Sequence, residues 1–357
     1  MAWTGNRICQ RLGIRLPIVQ APMAGSDSPD MTVAVAEAGG LGSLACGMLS
    51  PERVREAAAF IRSKTKNPIN LNFYCHTSPV EDTERDARWH EEISAYFAES
   101  GISADAQSAF VNRAPFDDAL CAAVEDVRPE VVSFHFGLPG EPLLDRVKAT
   151  GAVVMSSATT VAEAVWLQQH GCDVVIVQGV EAGGHRGMFL GNDIATQVGT
   201  LALVPQIVDA VDVRVIASGG IGDARGIAAA FMLGADGVQL GTAYLKCPEA
   251  RLNPLHARAL PDARDDNTAL TNVFTGRPAR GIINRLMRDL GPMSANAPDF
   301  ATAGKALAAL RGHAESQGRD DFTNLWAGQA AHLSPALPAA ELTHILMAQA
   351  WARLKSF

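Results

Sequence analysis

Eight short, apolar, β-rich runs recur along the first 241 residues, and stretches with helical patterning stand between them. The runs lie at 16–20, 42–45, 69–73, 131–136, 152–156, 173–178, 213–218 and 237–241, with helical candidates at 51–64, 161–170 and 224–233. A strand followed by a helix, repeated, calls for parallel βαβ units, because parallel neighbours need a long crossover. Eight repeats can close on themselves, so the expected fold class is α/β, a (β/α)8 TIM barrel. VVIV, VRVIA and VVSF do not alternate cleanly with polar residues, as expected of strands covered on both faces. An open doubly wound sheet is the competing arrangement.

Two regions break the rhythm. The polar, acidic stretch between Thr77 and Arg128 is too long for a plain connection and has helical composition, so a helical insertion near 77–128 is expected beside the barrel. After Cys247 the pattern reads as helices and loops with no further strand. The expected organisation is a barrel over 1–250, a smaller helical subdomain over 251–330 packed on it, and a C-terminal helical segment over 331–357.

A hydrophobic fraction of 48% in 357 residues supports a large core, and a net charge of −8 argues against nucleic acid and anionic membrane surfaces as partners. The N-terminal MAWTGNRICQRLG lacks an apolar segment, and eighteen consecutive apolar residues occur nowhere, so neither signal peptide nor membrane span is expected and the cytoplasm is the expected location. The six cysteines show no CxxC or Cys/His ligand spacing, which points to reduced thiols and no metal site. Oligomeric state is left open by the sequence.

Small and polar residues gather where the runs end: QAPMAGSDSP, NFYCH, HFG, VQGVEAGGHRG, SGGIGD and QLGTAY. In a barrel these ends form the face that carries chemistry. Gly219, Gly220 and Gly222 after the seventh run and Gly241 after the eighth let backbone N–H groups approach a phosphate, the alternative being plain turns. GGIGDARG does not complete a dinucleotide fingerprint, so a mononucleotide fits better. His185, flanked by Gly183, Gly184 and Gly187, is the candidate catalytic residue; an imidazole there can hydrogen-bond a substrate oxygen or accept a proton. His135 is a secondary candidate for positioning an anion, or a satisfied barrel-end histidine. Glu181 either orients the loop, pairs with Arg186 or is simply solvated. Arg277, Arg280 and Lys246 stay outside the expected site, and hydrolase signatures are missing.

QAPMAG, NLNFYCH, SFHFG, VQGVEAGGHRG, ASGGIGDARG, QLGTAYLKCPE and TGRPARGIINR, in this order over roughly 16–329, resemble the FMN-dependent nitronate monooxygenases (2-nitropropane dioxygenases), class I. The resemblance implies a barrel holding FMN and oxidation of alkyl nitronates, such as propionate 3-nitronate, by O2 to a carbonyl compound and nitrite, detoxifying nitro compounds. It places Ala21, Pro22 and Met23 beside the flavin ring, with Asn72 and Gln178 bonding its polar atoms. Gly183, Gly220, Gln239, Leu240, Gly241 and Thr242 would line the ribityl phosphate and nearby atoms, with Gly184 and Gly219 in the same glycine clusters. His185 is again the catalytic candidate. Two alternatives are an NAD(P)H:quinone or enoyl reductase on a similar flavin barrel and a non-catalytic flavin-binding barrel.

Overall fold

Each of the eight apolar runs becomes a parallel strand in a computed structural model that describes residues 3, 5–103 and 113–356. In chain order the barrel strands are β1 (Ile18–Gln20), β2 (Gly42–Ala45), β3 (Ile69–Tyr74), β4 (Val131–His135), β5 (Val153–Ala158), β6 (Val174–Gln178), β8 (Arg214–Ser218) and β9 (Gly237–Leu240). A two-residue strand, β7 (Gly184–His185), lies outside the barrel. The spatial order is β1-β9-β8-β6-β5-β4-β3-β2, and a parallel bridge between Val19 and Leu41 joins β1 to β2, closing the ring. The chain is therefore a (β/α)8 barrel and not an open sheet.

Local chemistry sets the helix starts. Ser28 and Ser50 accept the N–H of Met31 and Arg53, each followed by a proline whose fixed φ suits the first helical position. Inside the barrel the filling changes with height. Ile8, Cys9 and Leu12 of the N-terminal helix Arg7–Leu12 share a buried cluster with Val131, Met155, Val174 and Ile216. Higher up, Asn70 donates to the hydroxyls of Ser43 and Ser133 at 3.0 and 2.9 Å. That polar layer underlies the C-terminal mouth. The strand alternation of INLNFY explains it: Leu71 and Phe73 pack with Ile61, Leu120 and Val124, so Asn70, Asn72 and Tyr74 take the opposite face.

The insertion forms one long helix, Thr83–Ser100, but its apolar face packs away from the strands. Trp89, Ile93 and Phe97 share a core with Phe274, Leu286, Leu307, Leu310 and Phe322. Helix Asp118–Val127, at the end of the same stretch, packs against helix Pro51–Lys64 and belongs to the barrel's outer ring. Residues 104–112 of the expected insertion lie outside the described residues.

The expectation of no further strand after Cys247 is overturned. β10 (Thr268–Thr271) and β11 (Ala279–Ile282) form an antiparallel pair, and β7 adds to β11 with Ala279 opposite His185. These four-residue strands are too short to show periodicity, and β11's other neighbour lies nearly a hundred residues earlier, so only tertiary pairing reveals them. The terminal helix Ala339–Leu354 packs Leu342, Leu346 and Met347 into the outer barrel core with Met31, Val35 and Ile227. All six cysteines are free thiols. Among the described residues, no helix is long and apolar enough to cross a membrane.

Candidate active site

A cavity of about 410 Å³ opens at the C-terminal ends of the strands. Ala21, Pro22 and Met23 from the loop after β1 line it, with Asn72, His135 and Gln178 from β3, β4 and β6. Gly183, Gly184 and His185 face it, as do Gly219, Gly220, Gln239, Gly241 and Thr242. Leu240 does not: its side chain sits in the core between barrel and helices, and its carbonyl accepts the Ala21 N–H at 2.8 Å. Strand alternation explains this, since Gln239 and Leu240 must point to opposite faces.

The glycine stretch after β8 has the geometry of an anion site. Gly219 and Gly220 follow one another at φ of 102° and 67°, a conformation glycine adopts without a Cβ clash. The N–H groups of Gly219, Gly220 and Ile221 have no acceptor among the described residues. Nearby, Gly241 leaves open the space between Ala21 and the Met23 sulfur. Gln239 Oε1 is buried on the cavity wall without a partner, and such an acceptor is costly unless something donates to it. Asn72 donates to the Ser133 hydroxyl at 2.9 Å and keeps Oδ1 unpartnered. A phosphate at the glycine N–H groups, an amide-rich ring edge at Asn72 and Gln239 and an apolar ring face along Ala21–Met23 would fit these walls.

Gln178 lines the cavity and also spends both ends of its amide on the chain itself. Its Oε1 accepts the Gly187 N–H at 2.7 Å and its Nε2 donates to the His185 carbonyl at 2.9 Å, so it clamps the β6–β7 loop. His135 acts likewise: Nε2 donates to the His185 carbonyl at 3.2 Å and Nδ1 accepts from the Ser157 hydroxyl at 3.1 Å. Burial, with Arg277 and Arg186 nearby, pushes its value down to about 4 although the carbonyl bond opposes the shift. Its two hydrogen bonds match the satisfied barrel-end histidine that the sequence also allowed, and its ring lines the cavity.

Arg186 is fully buried and does not pair with Glu181. Its guanidinium donates to the carbonyls of Gly179 and Gln178 and to Gln197 Oε1, while Glu181 accepts the Thr200 N–H and hydroxyl at 2.9 Å. Gly183 has a packing role, because a Cβ there would lie 2.5 Å from the Gly328 nitrogen. Arg277, Arg280 and Lys246 also serve the scaffold. Arg277 lies 4.0 Å over the Phe136 ring and donates to the Met188 carbonyl; Arg280 donates to the Val180 carbonyl, and Lys246 to those of Ala331 and Ser334.

His185 stands on β7, held by β11, with its ring between Phe300 and Trp326 at 5.2 and 5.5 Å. Its Nε2 lies 2.9 Å from the Thr275 hydroxyl. Burial first, then the charges of Arg113 and Arg277 and the neighbouring His135 and His76, holds it well below the ordinary histidine value. Each of these influences disfavours the protonated ring.

Tyr74, Arg113 and Arg311 also line the cavity, and sequence reasoning missed them. Among the described residues neither arginine forms an ion pair, and Arg311 Nη1 donates to Asn324 Oδ1 at 3.4 Å. The lining Glu315 instead accepts from the Thr323 hydroxyl. Tyr74 was legible from the alternation of INLNFY. Arg113 and Arg311 follow no local pattern that could have marked them.

A profile of the nitronate monooxygenase family matches residues 6–349. The chain belongs to the nitronate monooxygenase family. A curated nitronate monooxygenase from Pseudomonas aeruginosa is 40% identical over 344 residues, covering 96% of this chain and 98% of its own. The solved structure of a nitroalkane oxidase from Streptomyces ansochromogenes is 36% identical with a TM-score of 0.86, covering 96% of this chain and 97% of that one. FabK from Thermotoga maritima shares the fold at 26% identity and a TM-score of 0.73, with 98% and 97% coverage. Members of the nitronate monooxygenase family are flavin-dependent oxidoreductases.

Proposed function

We propose that this chain oxidises alkyl nitronates, propionate 3-nitronate among them, with O2 to a carbonyl compound and nitrite, using FMN. The observation that carries the reading is the His185 imidazole facing one cavity with the N–H groups of Gly219 and Gly220, which have no acceptor among the described residues. Bound there, the flavin supplies the electron-accepting ring and the reactivity toward O2. Gly219 and Gly220 would hold its single phosphate, Asn72 and Gln239 its ring edge, and Ala21–Met23 its face. Arg113 and Arg311 draw the anionic nitronate to the mouth. Phe300 and Trp326 exclude water beside His185, which accepts the α-proton when the substrate arrives as the neutral nitroalkane. The reading makes the enzyme a detoxifier of nitro compounds in the cytoplasm.

Anaerobic mixing of the purified holoenzyme with propionate 3-nitronate tests it. The flavin absorption should bleach within catalytic time, and NADH or NADPH should act far more slowly. A spectrum unmoved by any nitronate, or rapid bleaching by a nicotinamide, would overturn the reading in favour of a reductase or a binding protein. Cofactor released on denaturation should be FMN; recovery of FAD would refute the single-phosphate site.

A further inference from the structure

The TGRPARG segment, 275–281, ends on β11 and begins with a residue that touches the catalytic candidate. The Thr275 hydroxyl is 2.9 Å from His185 Nε2 and 3.3 Å from the Arg277 carbonyl. A carbonyl can only accept, so the one hydroxyl hydrogen goes to Arg277 and the hydroxyl oxygen is left to accept Nε2–H. The reverse assignment satisfies one contact where this satisfies two. Nδ1 has no partner among the described residues and is not sealed from the cavity that the ring lines.

We infer that Thr275 is a positioning residue that fixes His185 as the Nε2–H tautomer, so that Nδ1 presents the lone pair that takes the α-proton of a neutral nitroalkane. The inference rests on the proposed reaction for its kinetic consequence. In that step the α-C–H bond breaks and an N–H bond forms at Nδ1. The C–H electron pair becomes the C=N bond of the nitronate, whose negative charge spreads over the nitro oxygens. His185 becomes an imidazolium beside that anion until it releases the proton to solvent. A preformed nitronate skips the step.

The turn carrying Thr275 is held firmly. Gly276 adopts a φ of 84°, and a Cβ there would lie 1.9 Å from the Pro298 carbonyl oxygen. β11 in turn pairs Ala279 with His185, so the hydroxyl sits on the turn leading into the strand beside the one that carries the imidazole. Among the described residues, no carboxylate contacts the ring to favour the opposite tautomer.

Nitrogen NMR of the holoenzyme with labelled histidines, its His185 signals assigned with His185→Asn, reads the tautomer directly. Nε2 should appear protonated and Nδ1 bare. Thr275→Val should slow turnover of nitroethane by about 10- to 100-fold, with ethyl nitronate held within about twofold, and Thr275→Ser should restore the rate. A wild-type spectrum with the proton on Nδ1 would overturn the inference, as would a Thr275→Val enzyme that slows both substrates alike or neither. Should the valine variant lose its flavin, the wild-type spectrum and the serine variant still decide. Failure of every nitronate to react would refute the proposed reaction while leaving the spectrum to report on Thr275.

Discussion

At the scale of the residue, burial and the nearby Arg113, Arg277, His135 and His76 all disfavour protonation of the His185 imidazole. Replacing it with asparagine removes the lone pair that can take a proton while keeping a small polar group. Turnover of nitroethane should fall by about 10²–10⁴-fold, the usual cost of a lost general base, and ethyl nitronate should be far less affected. Steady-state assays with the two forms of one substrate check this, and equal loss for both would assign His185 to binding. Because its value is depressed, the nitroethane rate of the wild type should stay level as pH falls through 6.5, where an ordinary histidine would titrate. Arg311 acts differently, through its charge. Arg311→Gln should raise KM for nitronates several-fold, by roughly 1 kcal/mol, with kcat kept, and added salt should narrow the gap from wild type. A KM that is unchanged at low salt would remove Arg311 from the binding path.

Among the elements, the loop from β6 through β7 decides the shape of the site, and its parts were read unevenly from the sequence. The glycines and histidine of VQGVEAGGHRG led to the expectation of a site loop after the sixth barrel strand, and Gly183, Gly184 and His185 do line the cavity. The same letters gave no sign that Gln178, His135 and Arg186 spend their polar groups on its backbone, since those contacts depend on where the loop returns. The glycine pair after β8 was legible because a positive-φ turn that can form an anion nest is a local backbone property. Gly220→Leu tests that nest: φ of 67° and a Cβ 3.3 Å from Glu181 Cβ leave no room for a bulky side chain. Flavin affinity should weaken by about tenfold or more while the barrel's circular dichroism is retained. Full flavin occupancy in that variant would place the phosphate elsewhere.

For the whole molecule, buried titratable groups link stability to pH. His135 and His76 are each pushed down to about 4, chiefly by burial, and His185 shifts the same way. Each binds a proton more readily unfolded, so stability is lost as pH falls from 6.5 toward 4; for His135 the loss is about 3 kcal/mol. Asp27, whose buried carboxyl holds the Met23 and Ala45 N–H groups, opposes this. Its value is raised to about 7 by burial, so its contribution is present below the ordinary carboxylate range and is lost as pH rises through 7. Three histidines outweigh one carboxyl over the acidic window. The thermal midpoint of the holoenzyme should therefore drop by about 5 °C or more between pH 6.5 and 4.5, measured by calorimetry. A midpoint that rises on acidification would show that Asp27 dominates.

The sequence by itself determined the barrel, because strand period, helix caps and crossover length are local properties that each segment carries alone. It also marked the positive-φ glycine turn after β8 and the position of His185 on the cavity wall, since turns at the C-terminal ends of strands are local features of this architecture. Tertiary structure alone decided which side chains the loop backbone would consume, that β10 and β11 exist, and that Arg113, Arg311 and Thr275 reach the cavity. Those outcomes depend on contacts between segments tens to hundreds of residues apart. A lone arginine or threonine in a short, weakly patterned segment carries no information about the wall it will meet until the rest of the chain has closed around it.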